Sequence, residues 1–417
     1  RPMSVEFTPS TQTELARFVS DNAVGERRTL SPVGGRTALY YGCSAEEPDT
    51  VVSLSELTRI IDYPARDMTI TVESGIRIDA LQATLAAERQ RLPIDIAQAG
   101  RATLGGALAT NTSGPRRFGY GTFRDFVIGI SAVDAEGRLF KAGGRVVKNV
   151  AGYDICKLLV GSRGTIGIVS QVTLKLRPMV ETSSLLWLSL PQFDDIERCL
   201  ERLLTSDARP VAVEVLNPAS ARLIVASSRC DLPFESPVLC LGLEGSPSEV
   251  DWQIVTLIHE LAPLGVKSEQ RISEPEASRM WQALTEFQTC AGDPLTFQAN
   301  IPPSRCMAFA AQATKLHVAV QVHAGNGIVI GQLPEEAATI EQANSILDVL
   351  RNMARFNAGI SGSGNLVVLH CDSEWKALMP MCGDPEPAWP LMRQLKKAFD
   401  PHGLLNPGRF VDGVEAR

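Results

Sequence analysis

The sequence predicts an α+β chain in three parts: a mixed domain over residues 1–180, a doubled βαββαβ domain over 181–375, and a short C-terminal segment over 376–417. Three observations carry this. Short strands and helices alternate irregularly as far as Pro178; apolar patterning then spells strand, helix, strand, strand, helix, strand twice; and one helix followed by the Gly- and Pro-punctuated run Asp400 to Phe410 ends the chain. At about 150 residues per domain, 417 residues give room for two or three domains.

In chain order, Thr11-Gln12-Thr13-Glu14 reads as a capping box that opens a helix over 12–22. A short strand near Thr29, a Gly-rich turn at Val33-Gly34-Gly35-Arg36 and a strand over 50–54 follow. Residues 68–72 alternate as a strand, Glu73-Ser74-Gly75 turns it, and Ile78, Leu81 and Leu85 give residues 78–87 helical spacing. The stretch 102–121, rich in Gly, Thr, Ser and Asn, is too polar for core and reads as a ligand-binding loop region. Asp134-Ala135-Glu136-Gly137 marks a hairpin between strands at 126–132 and 138–141, and 168–177 alternates as a half-buried strand.

Beyond Pro178, the first βαββαβ pass takes strand 185–190, helix 193–204, strands 211–216 and 238–243, helix 249–261 and strand 266–272. The second takes strand 295–301, helix 305–314, strands 318–322 and 328–332, a long helix 335–355 and strand 366–370. Two ferredoxin-like units sharing one antiparallel sheet follow from that order. The last helix covers 389–399.

Composition narrows the function. Apolar residues at 44% and charged residues at 21% describe a folded domain protein and exclude disorder. The longest notable uncharged run, 316–334, contains His317, Gln321, His323, Asn326 and Gln332, so no membrane span is expected. The first residues lack the apolar core of a signal peptide, and a cytoplasmic address is the expectation. Nine scattered cysteines form no Cys-x-x-Cys, which argues against a disulfide framework and against an iron–sulfur cluster in this chain.

Net charge is −7, which disfavours nucleic acid, but residues 114–178 carry eleven basic and four acidic side chains. That basic segment is either an anion-holding region or a solvated surface balanced by acidic neighbours in the fold.

Three glycine clusters stand out: Pro32 to Thr37, Leu104-Gly105-Gly106-Ala107, and Gly161 to Ile168. None is G-x-G-x-x-G between a strand and a helix, and no Gly-Lys pair exists for a P-loop, so Rossmann and Walker sites are disfavoured. Any one cluster alone reads as a tight turn. Glycine also lets backbone N–H groups approach a phosphate without interference from Cβ, and several such nests can converge on one diphosphate.

The run Ala102-Thr103-Leu104-Gly105-Gly106-Ala107-Leu108-Ala109-Thr110-Asn111-Thr112-Ser113-Gly114, with Tyr120-Gly121-Thr122-Phe123-Arg124-Asp125, resembles the flavin-binding core of the FAD-linked oxidases of the vanillyl-alcohol-oxidase or PCMH type. Gly143-Gly144-Arg145-Val146-Val147-Lys148-Asn149-Val150-Ala151-Gly152-Tyr153-Asp154, followed by Gly161-Ser162-x-Gly164-Thr165-Ile166-Gly167, is similar to the E subunits of bacterial glycolate oxidases, and Asn406-Pro407-Gly408-Arg409-Phe410 resembles the family's tail.

The resemblance implies a PCMH-type FAD-binding domain over 1–180, a ferredoxin-like cap over 181–375 and a tail returning to the FAD domain. It implies that Pro32, Val33, Gly34, Gly35, Arg36 and Thr37 meet the FAD pyrophosphate. Leu104, Gly105, Gly106, Thr110, Asn111, Ser113 and Gly114 would pack on the diphosphate and flavin ring. Arg124 and Asp125 would lie in the turn beneath the flavin, Tyr120 and Gly121 of the same run would also bind the cofactor, and Gly164, Gly167, Ile168 and Val169 would finish the adenine side. Some relatives attach FAD through a histidine in the first loop; Val33 to Thr37 contains none, so noncovalent FAD is expected.

Flavin oxidation of a 2-hydroxy acid needs a cation for the carboxylate and a base for the hydroxyl proton. Catalytic relatives carry His-x-Gly-Asp-Gly-Asn-x-His, whose histidines hold a metal. Here the similar run is His323-Ala324-Gly325-Asn326-Gly327-Ile328-Val329-Ile330, and Ile330 offers no ligand, so no metal site is expected. No catalytic residue is assigned. His323 reads as a flavin-edge histidine or a core strand histidine, and Asn406 as a flavin or substrate contact or a structural cap.

The expected function is therefore the FAD-binding subunit of a glycolate-oxidising complex, turning glycolate to glyoxylate beside a catalytic FAD subunit of the D type and an iron–sulfur subunit of the F type. Those partners would supply any peripheral attachment at the inner membrane. The alternatives are a stand-alone FAD-dependent 2-hydroxyacid dehydrogenase of D-lactate type and a flavin-fold subunit without catalysis.

Overall fold

The computed structural model describes residues 5–43, 48–144, 154–289, 294–355 and 364–411. The chain divides into two compact units. The first comprises residues 1–112, 122–179 and 385–417, and the second comprises 113–121 and 180–384. Residues 145–153, part of the Gly143 to Asp154 motif, lie outside the described residues.

In the first unit, β1 (Val5–Phe7), β2 (Leu30–Val33) and β3 (Thr50–Ser53) form a parallel sheet with β3 in the middle. Strands β4 (Ile60–Asp62), β5 (Thr69–Glu73), β7 (Val127–Val133), β8 (Leu139–Gly143) and β9 (Ile168–Lys175) form an antiparallel sheet in the order β4-β5-β9-β7-β8. A short pair, β6 (Gln90–Arg91) with β10 (Arg177–Pro178), completes the strands of this unit.

Helix α1 (Gln12–Val24) starts where Thr11 accepts from the Glu14 backbone N–H at 3.1 Å. Glu14 does not complete the expected capping box. Its carboxylate accepts from the Ser10 backbone and hydroxyl instead, at 2.8 and 2.9 Å. The apolar side of α1 buries Leu15 and Val19 completely against Leu30, Val52, Val133, Ile168 and Leu405, each contributing roughly 1.5–3 kcal/mol. This core therefore ties both sheets to the C-terminal segment.

The remaining helices of the unit are α2 (Ile78–Ala87), α3 (Leu104–Thr110), α5 (Phe123–Phe126), α6 (Cys156–Leu159) and α13 (Trp389–Phe399). The hairpin at 134–137 forms as its residues require: Asp134 accepts from the backbone N–H groups of Glu136 and Arg138, each at 3.0 Å, and Gly137 takes φ +81°. Residues 102–121 are not one continuous loop. Thr103 caps α3, Leu104 and Leu108 bury its inner face, and Arg117–Tyr120 forms the short helix α4, which groups with the second unit.

The second unit runs β11 (Thr182–Ser189), α7 (Phe193–Leu203), β12 (Ala212–Leu216), α8 (Pro218–Ser228), β13 (Val238–Gly245), α9 (Pro247–Leu261), β14 (Ser268–Ile272) and α10 (Glu276–Glu286). It continues with β15 (Leu295–Asn300), α11 (Cys306–Lys315), β16 (Ala319–His323), β17 (Ile328–Gln332), α12 (Ile340–Ala354) and β18 (Asn365–Cys371). All eight strands share one antiparallel sheet in the order β14-β11-β13-β12-β16-β17-β15-β18. Each half has its fourth and first strands outermost and its third and second inward, and the halves join edge to edge through their second strands, β12 and β16.

Two helices lie outside the expected βαββαβ passes. α8 has the start signal of Asn217 capping the Ser220 N–H at 3.1 Å with Pro218 in the first turn. α10 buries Ala277, Met280, Trp281 and Leu284 at helical spacing. The long helix α12 begins at Ile340, later than expected, because Thr339 and Gln342 form its capping box.

Candidate functional site

The glycine clusters converge in the first unit. β2 leads into Gly34-Gly35, and a Cβ there would lie 2.0 Å from Thr103 Oγ1 at residue 34 and 1.8 Å from the Arg101 carbonyl oxygen at residue 35. Only glycine lets this loop press onto the start of α3. Arg36 follows at φ +56° and pairs with Glu6 at 2.9 Å.

The second wall is α3 itself. Thr103 Oγ1 accepts from the Gly106 N–H at 3.3 Å, and the Gly105 N–H donates to the Ser74 carbonyl at 2.7 Å. The first bond caps α3, and the second docks it onto the turn between β5 and α2. The Thr110 hydroxyl donates back to the Gly106 and Ala107 carbonyls, each at 3.1 Å, so it seals the helix end.

The third wall is the segment before β9 together with the tail. The Arg163 N–H donates to the Ala109 carbonyl at 2.8 Å, and Gly164 turns at φ +67°. Asn406 donates through Nδ2 to the Arg163 carbonyl and accepts from the Ser31 hydroxyl, both at 2.7 Å, while its backbone N–H donates to Leu30 at 2.8 Å. Both ends of its amide are thus occupied by the scaffold.

A buried ion pair holds that tail. The Lys396 ammonium donates to Asp400 at 2.6 Å and to the carbonyls of Thr165 and Leu405 at 2.8 and 3.0 Å. Asp400, fully buried at its side chain, also accepts from the Leu404 and Leu405 N–H groups. Every polar atom of this pair works to fix the third wall against β2.

Between the walls lies a cleft enclosing about 860 Å³, its open mouth included. Among the described residues it is lined by three arginines, Arg36, Arg163 and Arg409, and by no Asp or Glu. Two lining hydroxyls, Ser74 Oγ and Ser162 Oγ, are buried without a hydrogen-bond partner among the described residues. Burial pushes the Tyr41 phenol up to about 12, with the Arg163 charge opposing, so it stays neutral at pH 7. Glycine backbone, unsatisfied hydroxyls and arginine guanidinium groups are the donor set that a dinucleotide diphosphate accepts.

Of the residues expected to hold FAD, the cleft brings together Pro32, Val33, Gly34, Gly35, Arg36, Thr37, Gly105, Gly106, Thr110, Gly164, Gly167, Ile168 and Val169. Leu104 is fully buried in the core, and Asn111 forms the left-handed end of α3 at φ +53°. Arg124 donates to the Lys157 carbonyl at 3.0 Å, and Asp125 caps α5, so both serve the local fold. Ser113, Gly114, Tyr120 and Gly121 group with the second unit.

The sequence reading missed Ser31, Tyr41, Ser74, Thr103, Ser162, Arg163 and Arg409 among the lining residues. The signal for Arg163 was its place inside a glycine cluster, and for Arg409 its place in the Asn-Pro-Gly tail.

The second unit carries its own polar cluster. His323 ends β16 opposite Glu214 of β12, and its Nδ1 lies 2.8 and 2.9 Å from the two Glu214 oxygens. Gln321 Nε2 donates to the same carboxylate at 2.7 Å. These side chains are buried and close the joint between the two half-sheets.

Ala324, Gly325 and Asn326 form a single turn, Gly327 takes φ +66°, and Ile328 and Ile330 are buried in β17. Nearby on the same sheet, Glu244 accepts from Arg116 at 2.7 Å and Tyr120 at 2.8 Å, while the Arg116 guanidinium stacks 3.7 Å over Trp281. Among the described residues, no group of three or more His, Cys, Asp and Glu side chains is placed to hold a metal ion, and no helix is long and apolar enough to cross a membrane.

Residues 3–143 match the FAD binding domain family, and residues 180–340 and 376–410 match the C-terminal domain of FAD linked oxidases. The chain is 28% identical over 429 residues to a D-2-hydroxyglutarate dehydrogenase of Xanthomonas citri pv. viticola, covering 96% of this chain and 87% of that protein. It is 26% identical over 418 residues to glycolate oxidase subunit GlcD of Bacillus subtilis, covering 97% and 88% respectively. Among solved structures, p-cresol methylhydroxylase with substrate bound superposes with a TM-score of 0.71 at 16% identity, covering 98% of this chain and 88% of that one.

Proposed function

The chain belongs to the FAD-linked oxidase superfamily, and from that premise we propose that it acts in the oxidation of 2-hydroxy acids with FAD seated in the glycine-walled cleft. It is an FAD oxidoreductase. Bound FAD supplies the two-electron acceptor for converting a CH–OH group to C=O. The single observation that carries the site is the cleft's chemistry among the described residues: no lining carboxylate, three arginines and two unsatisfied serine hydroxyls.

The chain's own residues divide the work. The loop from Val33 to Thr37 offers backbone N–H groups on one side, α3 closes the second side, and Asn406 with Lys396 and Asp400 holds the third in place. The first loop carries no histidine, which supports noncovalent attachment. The 2-hydroxyacid chemistry is supported by the relatives that act on D-2-hydroxyglutarate and glycolate.

Within that class, we read the chain as the FAD-binding subunit of a glycolate-oxidising complex, working beside a catalytic FAD subunit and an iron–sulfur subunit. The observation favouring this over a stand-alone dehydrogenase is the hairpin from His323 to Ile330. Its aliphatic Ile328 and Ile330 cannot ligate a metal, and the His323 Nδ1 is committed to Glu214.

Purified protein should show a flavin spectrum, and denaturation should release all of the flavin to the supernatant. Anaerobic addition of glycolate, D-lactate or D-2-hydroxyglutarate to the isolated chain should bleach it slowly or not at all, and co-purification should bring down a second flavoprotein. Rapid bleaching by the chain alone overturns the subunit reading, and a colourless protein that takes up no FAD overturns the cofactor site.

A further inference from the structure

We infer that Arg163 and Arg409 together are the counter-ions for the diphosphate of the bound dinucleotide, a proposal that rests on FAD occupying the cleft. The two residues lie far apart in sequence and meet at one wall of the cleft. Gly42, at φ +86°, packs against the Arg163 guanidinium and the Arg409 backbone: a Cβ there would fall 2.9 Å from Arg163 Nη1 and 3.4 Å from the Arg409 carbonyl oxygen. Arg409 Nη1 donates to the Tyr41 carbonyl at 3.0 Å, which fixes one edge of its guanidinium.

The third arginine of the cleft, Arg36, already has Glu6 at 2.9 Å. Arg163 and Arg409 have no ion pair with Asp or Glu among the described residues, and both are half-buried. Burial lowers the Arg409 pKa, and the neighbouring Arg163 charge lowers it further. Two like charges held together away from water are costly unless an anion joins them. The neutral Tyr41 phenol does not supply one.

A diphosphate ester brings two negative charges, and two planar guanidinium forks match them by charge and by geometry. A substrate carboxylate brings one charge and leaves one arginine uncompensated. Ser162 Oγ, buried, unpartnered and adjacent to Arg163, is a third donor for the same group.

The test is equilibrium binding of FAD, ADP and riboflavin to flavin-depleted full-length protein and to Arg163→Gln, Arg409→Gln, the double variant and Arg163→Lys. FAD and ADP dissociation constants should rise at least tenfold in each Gln variant and more than a hundredfold in the double. Arg163→Lys should retain most of the affinity, and the dependence of FAD affinity on NaCl should become shallower as charges are removed. Riboflavin, which lacks the diphosphate, should bind all variants alike.

If the wild-type chain binds FAD and the double variant binds it within twofold, the arginine assignment fails while the cofactor site stands. If riboflavin weakens in parallel with FAD, the arginines act only on the fold and the assignment fails. If the wild-type chain takes up no FAD, the cofactor site and the arginine pair fall together.

Discussion

Two polar clusters, one in each unit, are in opposite states. In the second unit, Glu214 is met by His323 and Gln321, and Glu244 by Arg116 and Tyr120. In the cleft of the first unit, Arg163 and Arg409 have no carboxylate partner, and the Ser74 and Ser162 hydroxyls have no hydrogen-bond partner, among the described residues. Buried polar groups are costly when unsatisfied, so natural proteins pair them. Donors without anionic partners that line an open cleft are ones that a ligand completes, whereas a closed network marks a scaffold. The contrast assigns binding to the cleft and rigidity to the sheet joint.

The hardest blow to the cleft is Gly35→Val. Its Cβ would sit 1.8 Å from the Arg101 carbonyl oxygen, so the first loop must leave α3. Flavin retained after gel filtration, read as the 450 to 280 nm absorbance ratio, should fall to background while far-UV circular dichroism stays close to wild type. Undiminished flavin would show that the loop does not line the cofactor site.

Next in size is Asp400→Ala, which strands the Lys396 ammonium, 9% exposed at its side chain, among carbonyl groups. Removing one partner of a buried pair costs about 3–5 kcal/mol. Urea unfolding should show that loss, and flavin should dissociate faster because the third wall loosens. A loss below about 1 kcal/mol would mean that the pair does not hold the tail.

Glu244→Gln probes the closed network instead. It leaves Arg116, 16% exposed, without its carboxylate, although Trp281 still stacks on it. The cost should be about 2 kcal/mol, with flavin content unchanged. If flavin is lost at intact stability, that network belongs to the binding machinery and the division between the regions breaks down.

How far the sequence reveals this division depends on whether a role is local. Gly34, Gly35, Gly105 and Gly164 are legible because clustered glycines announce close backbone approach wherever they fall. Arg163 and Arg409 are not, since their shared position exists only after the tail pairs with β2 through Leu30 and Leu405. Leu104 sits in a Gly- and Thr-rich run and looks like loop, yet it starts α3 and is buried completely. The two half-sheets are readable from strand order. Their joint through β12 and β16 is not, because edge-to-edge pairing leaves no local pattern.

The smallest effect tests whether a satisfied network in the first unit also behaves as scaffold. Asp49 accepts from the Thr29 N–H and hydroxyl at 2.8 and 2.9 Å, and these bonds hold its carboxyl below the usual carboxylate range. A lowered folded-state pKa adds stability that is present above the unfolded pKa near 4 and is lost as pH falls through the folded value. Asp49 is exposed, so solvent screening limits the gain to less than ~1 kcal/mol. Asp49→Asn should therefore be slightly less stable than wild type at pH 7, the gap should close as pH falls below about 4 and through the lowered folded-state value, and FAD affinity at pH 7 should not move. A gap that widens on acidification would reverse the sign and show that the folded protein favours the protonated acid.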